Sequence, residues 1–473
     1  MALFLNVKSD VSYKRRMLEY RCNLKGALRF EGGNAGEQKC MGGFAMTPQI
    51  VISFAIILLM IVGFVSEVFP LSVTAMLGCL AFFVTGIIDS STVFSGFSND
   101  IVFMIAGTMI VGEAMFQTGA AQFIGKKIIK AVGYDERRMI FVLILAGGLL
   151  SAFTSNSSVM AMFLPLIRSV AASSNGKIRA SHIVMPVGIS TMVGGACTLV
   201  GSTPQLVAQG LLVESGVRSF SFFELGYAGF PLLILLALWF SVIAYKPLCK
   251  ATAYMPAVPD YMADMKQEEE TETKANPKMY VCFAILIAMV IAFLSGIWTV
   301  GVVASLAGLL CIVTGCISAK TAYSKMGWNA LIIVGATLGV ASGLNASGAA
   351  EYIANVLVKA MGQDANIVLV VAVVGLMCVI MSNLLSHTAT ISLLVPIFIP
   401  LAQQMGIDPT LLIYTITCCV MCGYATPLGV ASYAMTLAEG YSFRDYQKIG
   451  GPFNIVAYVV IVAICSARFI FGF

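Results

Sequence analysis

Two short polar runs stand out against their surroundings. Ser155-Asn156-Ser157 and Ser386-His387-Thr388 each interrupt a long apolar stretch, and each precedes a proline, Pro165 or Pro396, by the same distance, so that Asn156 pairs with His387. Unpaired in hydrocarbon, their polar groups would cost several kcal/mol, so something must satisfy them. Ser, Thr and Asn are favoured helix N-caps, which predicts a helix starting at each run with unbonded N–H groups and the positive end of its dipole pointing inward. Two such ends converging make an anion site without Arg or Lys, and no Lys or Arg lies in the middle of an apolar run. A single Ser or Thr in a membrane helix commonly bonds back to a helix carbonyl. Matching triplets at equivalent places favour the ligand reading.

Two further segments supply the other wall. Gly194-Gly-Ala-Cys-Thr-Leu-Val-Gly-Ser-Thr-Pro204 and Gly423-Tyr-Ala-Thr-Pro-Leu-Gly429 break apolar helices with Gly and Pro. A break exposes backbone N–H groups, which suit an anion, and carbonyls, which suit Na⁺. Thr203, Thr426 and Pro427 thereby join the two triplets as expected substrate-binding residues. His387 is the group able to change charge in the physiological range, whereas Glu67 and Glu113 stand near helix ends and read as interfacial. Cys419 and Cys422 form a C-x-x-C inside an apolar helix, where metal or redox ligands are missing, and the thirteen cysteines read as small buried hydrophobes. Catalytic residues are not expected: a Ser/His/Asp set, a His cluster and an intramembrane carboxylate pair are all lacking, which leaves a membrane-embedded enzyme or sensor a remote alternative. A cofactor is not expected beyond Na⁺ as coupling ion, and nucleic acid is not an expected partner.

The elements that must position these residues follow from composition. Of the 473 residues 59% are apolar and 11% charged, and the mean hydropathy is +0.92, which no soluble core could absorb. Only helices satisfy their own backbone in a bilayer, so an all-α polytopic membrane protein is expected, spanning the cytoplasmic (inner) membrane. Spans are predicted at Ile50–Phe69, Leu71–Ile88 and Ile101–Gln117, then a re-entrant hairpin at Met139–Ile167, a broken helix at Ile183–Leu212 and a span at Leu225–Tyr245. The same order returns: Met279–Leu294, Trp298–Cys316, Trp328–Leu344, a hairpin at Ile367–Ala402, a broken helix at Thr410–Ala438 and a span at Pro452–Phe469. Residues 46–247 and 279–473 are therefore read as two repeats, joined by a charged linker at 248–278. Together they give ten transmembrane helices, two of them broken, plus two hairpins.

Of the twenty Lys and Arg beyond residue 45, this threading puts 17 on the cytoplasmic side and only Arg218, Lys359 and Arg468 outside. The basic extension at 1–45 would fall outside, a conflict that predicts translation from Met46. Thr118–Gly133 and Ser347–Gly362 share seven identities in sixteen positions. With five crossings and one hairpin per half, the second half enters from the opposite face and the repeat is inverted, which places the substrate at the repeat interface.

At these residues the chain resembles the divalent anion to sodium symporter family (solute carrier 13), carriers of dicarboxylates, citrate and sulfate. The family's paired Ser-Asn-Thr motif is similar to Ser155-Asn156-Ser157, with Ser386-His387-Thr388 at its second occurrence, ahead of Leu164-Pro165 and Val395-Pro396. The resemblance implies an elevator: hairpins and broken helices slide against scaffold helices, here 46–117 and 279–344, that hold a homodimer. It implies a first sodium at Ser151, Ser155, Asn156 and Gly201, and a second near Ser382, Ser386 and His387. It also implies departures, since Gln205 replaces the Asn of the first broken-helix loop and the family's first scaffold helix is absent. In the second loop, alignment on Ala425-Thr426-Pro427 puts Gly429 at that Asn, while a gapless count puts Val430 at the Thr and Tyr433 at the Asn. The Ser-His-Thr variant resembles the phosphate-carrying branch. The expected function is thus a secondary carrier of a small anion, a di- or tricarboxylate, driven by Na⁺ or exchange, with sulfate, phosphate or proton coupling through His387 as alternatives.

Overall fold

The computed structural model describes residues 46–473 apart from 67, 121–122, 124–134, 175–176, 256–276, 362–365, 428, 438 and 472–473. The basic extension, Glu67, most of the first repeat motif and most of the linker lie outside the described residues.

Among the described residues every regular element is helical. The first half comprises α1 (Pro48–Ser66), α2 (Leu71–Val84), a short α3 (Ser90–Ser95), α4 (Asp100–Gln117), α5 (Glu136–Ser151), α6 (Asn156–Ser173), α7 (Ala180–Gly195), α8 (Thr203–Glu214), α9 (Gly226–Leu238) and α10 (Tyr245–Ala251). The second comprises α11 (Pro277–Ser295), α12 (Val300–Val313), a short α13 (Ala319–Lys325), α14 (Trp328–Ala346), α15 (Ala349–Met361), α16 (Ile367–Leu384), α17 (His387–Gln404), α18 (Pro409–Val420) and α19 (Ala431–Leu437). After a turn at Phe443–Asp445 and a π-helical stretch, α20 (Gly451–Phe471) ends the chain's helices. Seven of the described helices, some with adjoining turns, are long and apolar enough to cross a membrane, and three shorter ones are apolar. The outward faces of α1 and α11 carry Leu58, Leu59, Ile287 and Ile291 exposed, as lipid-facing helices should.

Packing between the halves is reciprocal. α4 of the first half lies against α12 of the second, and α14 of the second against α2 of the first. Small residues make both crossings close: a Cβ on Gly107 would fall 2.2 Å from the Ala304 carbonyl oxygen, and one on Gly339 2.4 Å from Cys79 Sγ. Likewise α8 packs on α17 and α19 on α6, so each half's broken helix embraces the other half's hairpin. Such exchange of equivalent contacts is the signature of a two-fold relation.

Each half also caps the approach to its last helix in one way. The Ser221 N–H donates to Glu224 Oε2 at 3.0 Å, and the Ser442 N–H to Asp445 Oδ2 at 2.7 Å. Glu224 is further gripped by Arg218, whose Nη1 donates to Oε2 at 3.0 Å and Nη2 to Oε1 at 2.9 Å, and by Arg468 Nη2 at 2.9 Å. Burial alone would raise the Glu224 carboxyl; hydrogen bonds from Arg218, the Ser221 N–H and Arg468, with the charge of Arg218, overcome it and hold the group at about 2.

Candidate functional site

The two triplets form the tips of two hairpins. α5 and α6 turn at 152–155, α16 and α17 at 385–386, and each returning arm begins at the paired residue, Asn156 or His387. Ser155 and Ser386 are the N-caps: Ser155 Oγ accepts from the Ser158 N–H, and Ser386 Oγ from the Ala389 N–H, both at 3.2 Å. The capping expected from residue type alone is thus what turns both chains.

Asn156 ties the first tip to the first loop. Its Oδ1 accepts from Ser151 Oγ at 2.7 Å and its Nδ2 donates to Ser202 Oγ at 2.8 Å. Turned over, the amide nitrogen would donate to the Thr191 and Gly201 carbonyls at 3.1 and 3.0 Å while the oxygen accepts from Ser202 Oγ at 2.8 Å. Either way, oxygens from Ser151, Thr191, Gly201 and Ser202 surround one amide. Gln205 braces the loop behind them, its Nε2 donating to the Gly195 and Thr198 carbonyls at 2.5 and 3.0 Å.

His387 sits differently. It is buried, and neither ring nitrogen has a hydrogen-bond partner. The ring is held by shape: a Cβ on Gly423 would lie 2.3 Å from Nε2, and one on Gly429 2.6 Å. The first half has the matching pair, since a Cβ on Gly195 would fall 2.7 Å from Asn156 Oδ1 and one on Gly201 2.3 Å from the Gly195 carbonyl. The work of joining the second tip to its loop falls to Asn383, whose Oδ1 accepts from the Ala425 N–H at 3.1 Å and whose Nδ2 reaches the Cys422 carbonyl at 3.4 Å.

Hydrogen bonding also settles the register of the second loop. Thr426 Oγ1 donates to the Asn383 carbonyl at 2.8 Å, and Thr198 Oγ1 makes the same bond to the Ala152 carbonyl. Thr426 therefore corresponds to Thr198, Gly429 to Gly201, Val430 to Ser202 and Tyr433 to Gln205, in agreement with helices that restart at Thr203 and Ala431. The register with Val430 at the Thr and Tyr433 at the Asn is the right one, three residues shorter from hairpin to loop than in the first half; of the residues expected to bind substrate, Thr426 and Pro427 do not line the cavity, and the Thr426 hydroxyl bonds the hairpin.

A cavity of about 340 Å³ lies where the four segments meet. Ser155, Asn156, Ser157, Gly201, Thr203, Ser386, His387 and Thr388 all line it, together with Ser202, Gly429 and Val430. Ser151 and Ser382 lie behind the tips, buried and off its wall; Ser382 Oγ donates to the Val379 carbonyl at 3.0 Å. α4 closes the far side with Thr108, Gly112 and Glu113, and Lys325 stands at the rim. The last two were missed by reasoning from the polar runs alone. Glu113 is half-buried and bonded to Gln117 Nε2 at 2.9 Å, while Lys325 is exposed, so neither charge is placed in the apolar interior.

An all-helical membrane chain in which two hairpins and two broken helices converge on one cavity is a transporter by class, not an enzyme. The profile of the family described as citrate transporter (CitMHS) matches residues 61–418 and, in a second alignment, 302–472, and the chain belongs to that family. It is 24% identical over 456 residues to the sodium-dependent high-affinity dicarboxylate transporter 3 of Caenorhabditis elegans, covering 85% of this chain and 80% of that one. It is likewise 24% identical over 450 residues to the sodium-dependent dicarboxylate transporter SdcS of Staphylococcus saprophyticus, covering 88% and 85%. The resemblance read from the hairpin motifs thus holds at the level of the family. Among solved structures, the fold is similar to the Alcanivorax borkumensis YdaH transporter (TM-score 0.54, 12% identity, 81% of this chain and 88% of that one). It is also similar to Neisseria gonorrhoeae MtrF, at a TM-score of 0.60 and 12% identity over 91% and 96%.

Proposed function

We propose that this chain is a secondary active carrier of small di- or tricarboxylate anions, coupled to Na⁺ or working by exchange, in the inner membrane. The observation that carries the reading is where helices begin. α6, α8 and α17 all start on the cavity wall, at Asn156, Thr203 and His387, so unbonded N–H groups and three positive dipole ends face one volume. That suits an anion with oxygens at more than one end, and the size of the cavity suits a small one. Family and named relatives agree with a carboxylate.

The coupling ion has a natural seat in the first half. Oxygens of Ser151, Gly201 and Asn156, with the Ser155 tip beside them, are hard ligands of the kind an alkali cation takes, and the Asn156 amide can present its oxygen to that cluster. Lys325 falls on the side assigned to the cytoplasm, so the cavity is read as inward-facing. Sliding of hairpins and broken helices against α1, α2, α4, α11, α12 and α14 would then carry it across, in a homodimer held by those helices. Reconstituted protein should exchange labelled succinate or citrate in counterflow, with uptake rising in a Na⁺ gradient. Saturable flux of sulfate or phosphate alone would overturn the carboxylate assignment.

One observation favours a second reading of the coupling. The buried imidazole of His387 has no partner on either nitrogen, and the charged groups bordering its cavity are Glu113 and Lys325. A proton arriving with the anion would make both ring nitrogens donors, add a positive charge beside the anion and make His387 a coupling site. His387→Asn should then flatten the pH dependence of uptake; an unchanged profile would remove the proton from the mechanism.

A further inference from the structure

Away from the cavity, three side chains with metal-binding chemistry meet at the far end of the first hairpin. Glu136 opens α5, His182 lies in the first turn of α7, and Cys249 stands on α10. His182 Nδ1 is 3.0 Å from Glu136 Oε2 and 3.7 Å from Cys249 Sγ, and all three atoms lie within 4.8 Å of one another. Zinc takes nitrogen at 2.0–2.1 Å, carboxylate oxygen at 2.0–2.2 Å and thiolate at about 2.3 Å, so the edges of its tetrahedron run about 3.4 Å between N and O and about 3.6 Å between N and S. The first two separations already approach those edges. The third lies within 4.8 Å, against an O–S edge of about 3.6 Å.

The surroundings fit as well. The Arg179 N–H donates to Glu136 Oε1 at 2.8 Å and Tyr245 OH donates to Oε2 at 2.5 Å, which fixes the carboxylate and leaves the hydroxyl beside the open fourth position. Arg137 lies over the Tyr245 ring at 4.5 Å, and Arg179 Nη2 donates to the Met255 carbonyl at 2.5 Å. His182 is buried and Glu136 and Cys249 are half-buried, giving a path from solvent. A thiolate and a carboxylate together balance a dication.

We propose that Glu136, His182 and Cys249 form a binding site for a divalent transition metal of the zinc class, with the Tyr245 hydroxyl or a water as fourth ligand. Occupancy would pin α5, α7 and α10 together, joining the outer ends of the first hairpin and first broken helix to the start of the linker. Binding through Nδ1 leaves His182 a neutral ligand with its proton on Nε2, and only the proton of the Cys249 thiol is released to solvent. The site is independent of which anion is carried.

Purified full-length protein titrated with Co²⁺ tests it. The expected result is one Co²⁺ per chain, with a thiolate-to-metal charge-transfer band that Zn²⁺ abolishes by displacement. Cys249→Ser should remove the band, and His182→Gln should weaken Co²⁺ by more than the 10- to 100-fold typical of losing an outer-shell partner. Because Cys22 and Cys40 could also bind metal, the titration is repeated in a Cys22→Ser/Cys40→Ser background. A band that survives Cys249→Ser, or one lost with the two N-terminal cysteines, would overturn the proposal. So would the absence of stoichiometric binding, which would leave Glu136, His182 and Tyr245 as a hydrogen-bonded network alone.

Discussion

The two hairpin tips are built to one plan and finished in opposite ways. Each has a serine N-cap, a pair of clamping glycines and a threonine that bonds the hairpin backbone. In the first half the central residue is also the connector: Asn156 bonds Ser151 and Ser202 and can reach the Thr191 and Gly201 carbonyls. In the second half these duties are divided. Asn383 joins hairpin to loop, and His387 is left with two nitrogens that the protein does not satisfy. Where one residue both connects and faces the cavity, its chemistry is constrained by the fold. Where another residue connects, the residue at the tip is free of the fold's hydrogen bonding.

The sharpest way to break this contrast is to truncate both. Asn156→Ala strands the buried Ser151 and Ser202 hydroxyls, at about 1–3 kcal/mol each, and liposome uptake should fall about 100-fold or more. His387→Ala removes no protein hydrogen bond, and the loss should be about tenfold or less. Equal losses would show that both tips do the same work.

The capped turns that end the two halves offer a second comparison, in stability. Glu224 is depressed from 4.5 to about 2, so its contribution is present above pH 4.5 and is lost as pH falls toward 2. Glu224→Gln should cost about 3 kcal/mol at pH 7, seen as a lowered melting temperature in detergent that no longer drops between pH 4.5 and 2. Asp445→Asn, which forgoes bonds from Ser442 and Tyr254 but no ion pair with arginine, should cost less.

Smaller effects test the glycine clamps. Gly429→Ala presses a methyl group to 2.6 Å from His387 Nε2, overpacking worth about 1–3 kcal/mol, and uptake should fall about tenfold. Adding His387→Asn should restore much of it. Gly201→Ala meets the backbone carbonyl of Gly195 instead, so no substitution at its own tip should rescue it. The least effect belongs to the rim: Lys325→Gln should raise the KM for the anion about two- to threefold at low ionic strength and leave it unchanged at high salt.

Much of this was legible because a bilayer makes polarity conspicuous. Ser155 to Ser157 and Ser386 to Thr388 could not hide in apolar runs, and the distance to Pro165 and Pro396 paired them before any coordinate did. The second loop was harder to read. Ala425-Thr426-Pro427 looks like a ligand motif, yet Thr426 serves the hairpin, and the loop carries a different spacing from its hairpin than its counterpart does. Asn383 gave no signal, since its equivalent in the first half is Ala152. Glu113 was read as standing near a helix end and Lys325 as one of the cytoplasmic basic residues, but nothing in one dimension brings either to the cavity. The meeting of Glu136, His182 and Cys249 joins positions 46 to 113 residues apart, distances that periodicity does not span.

The crossing of each broken helix onto the opposite hairpin, α8 onto α17 and α19 onto α6, means that neither half owns a binding site. A half expressed alone would present a tip without the wall that faces it. In the carrier proposed above, a motion that took one tip across the membrane would drag the other along, so the two ends of the anion would travel as a single cargo bay and never part company midway.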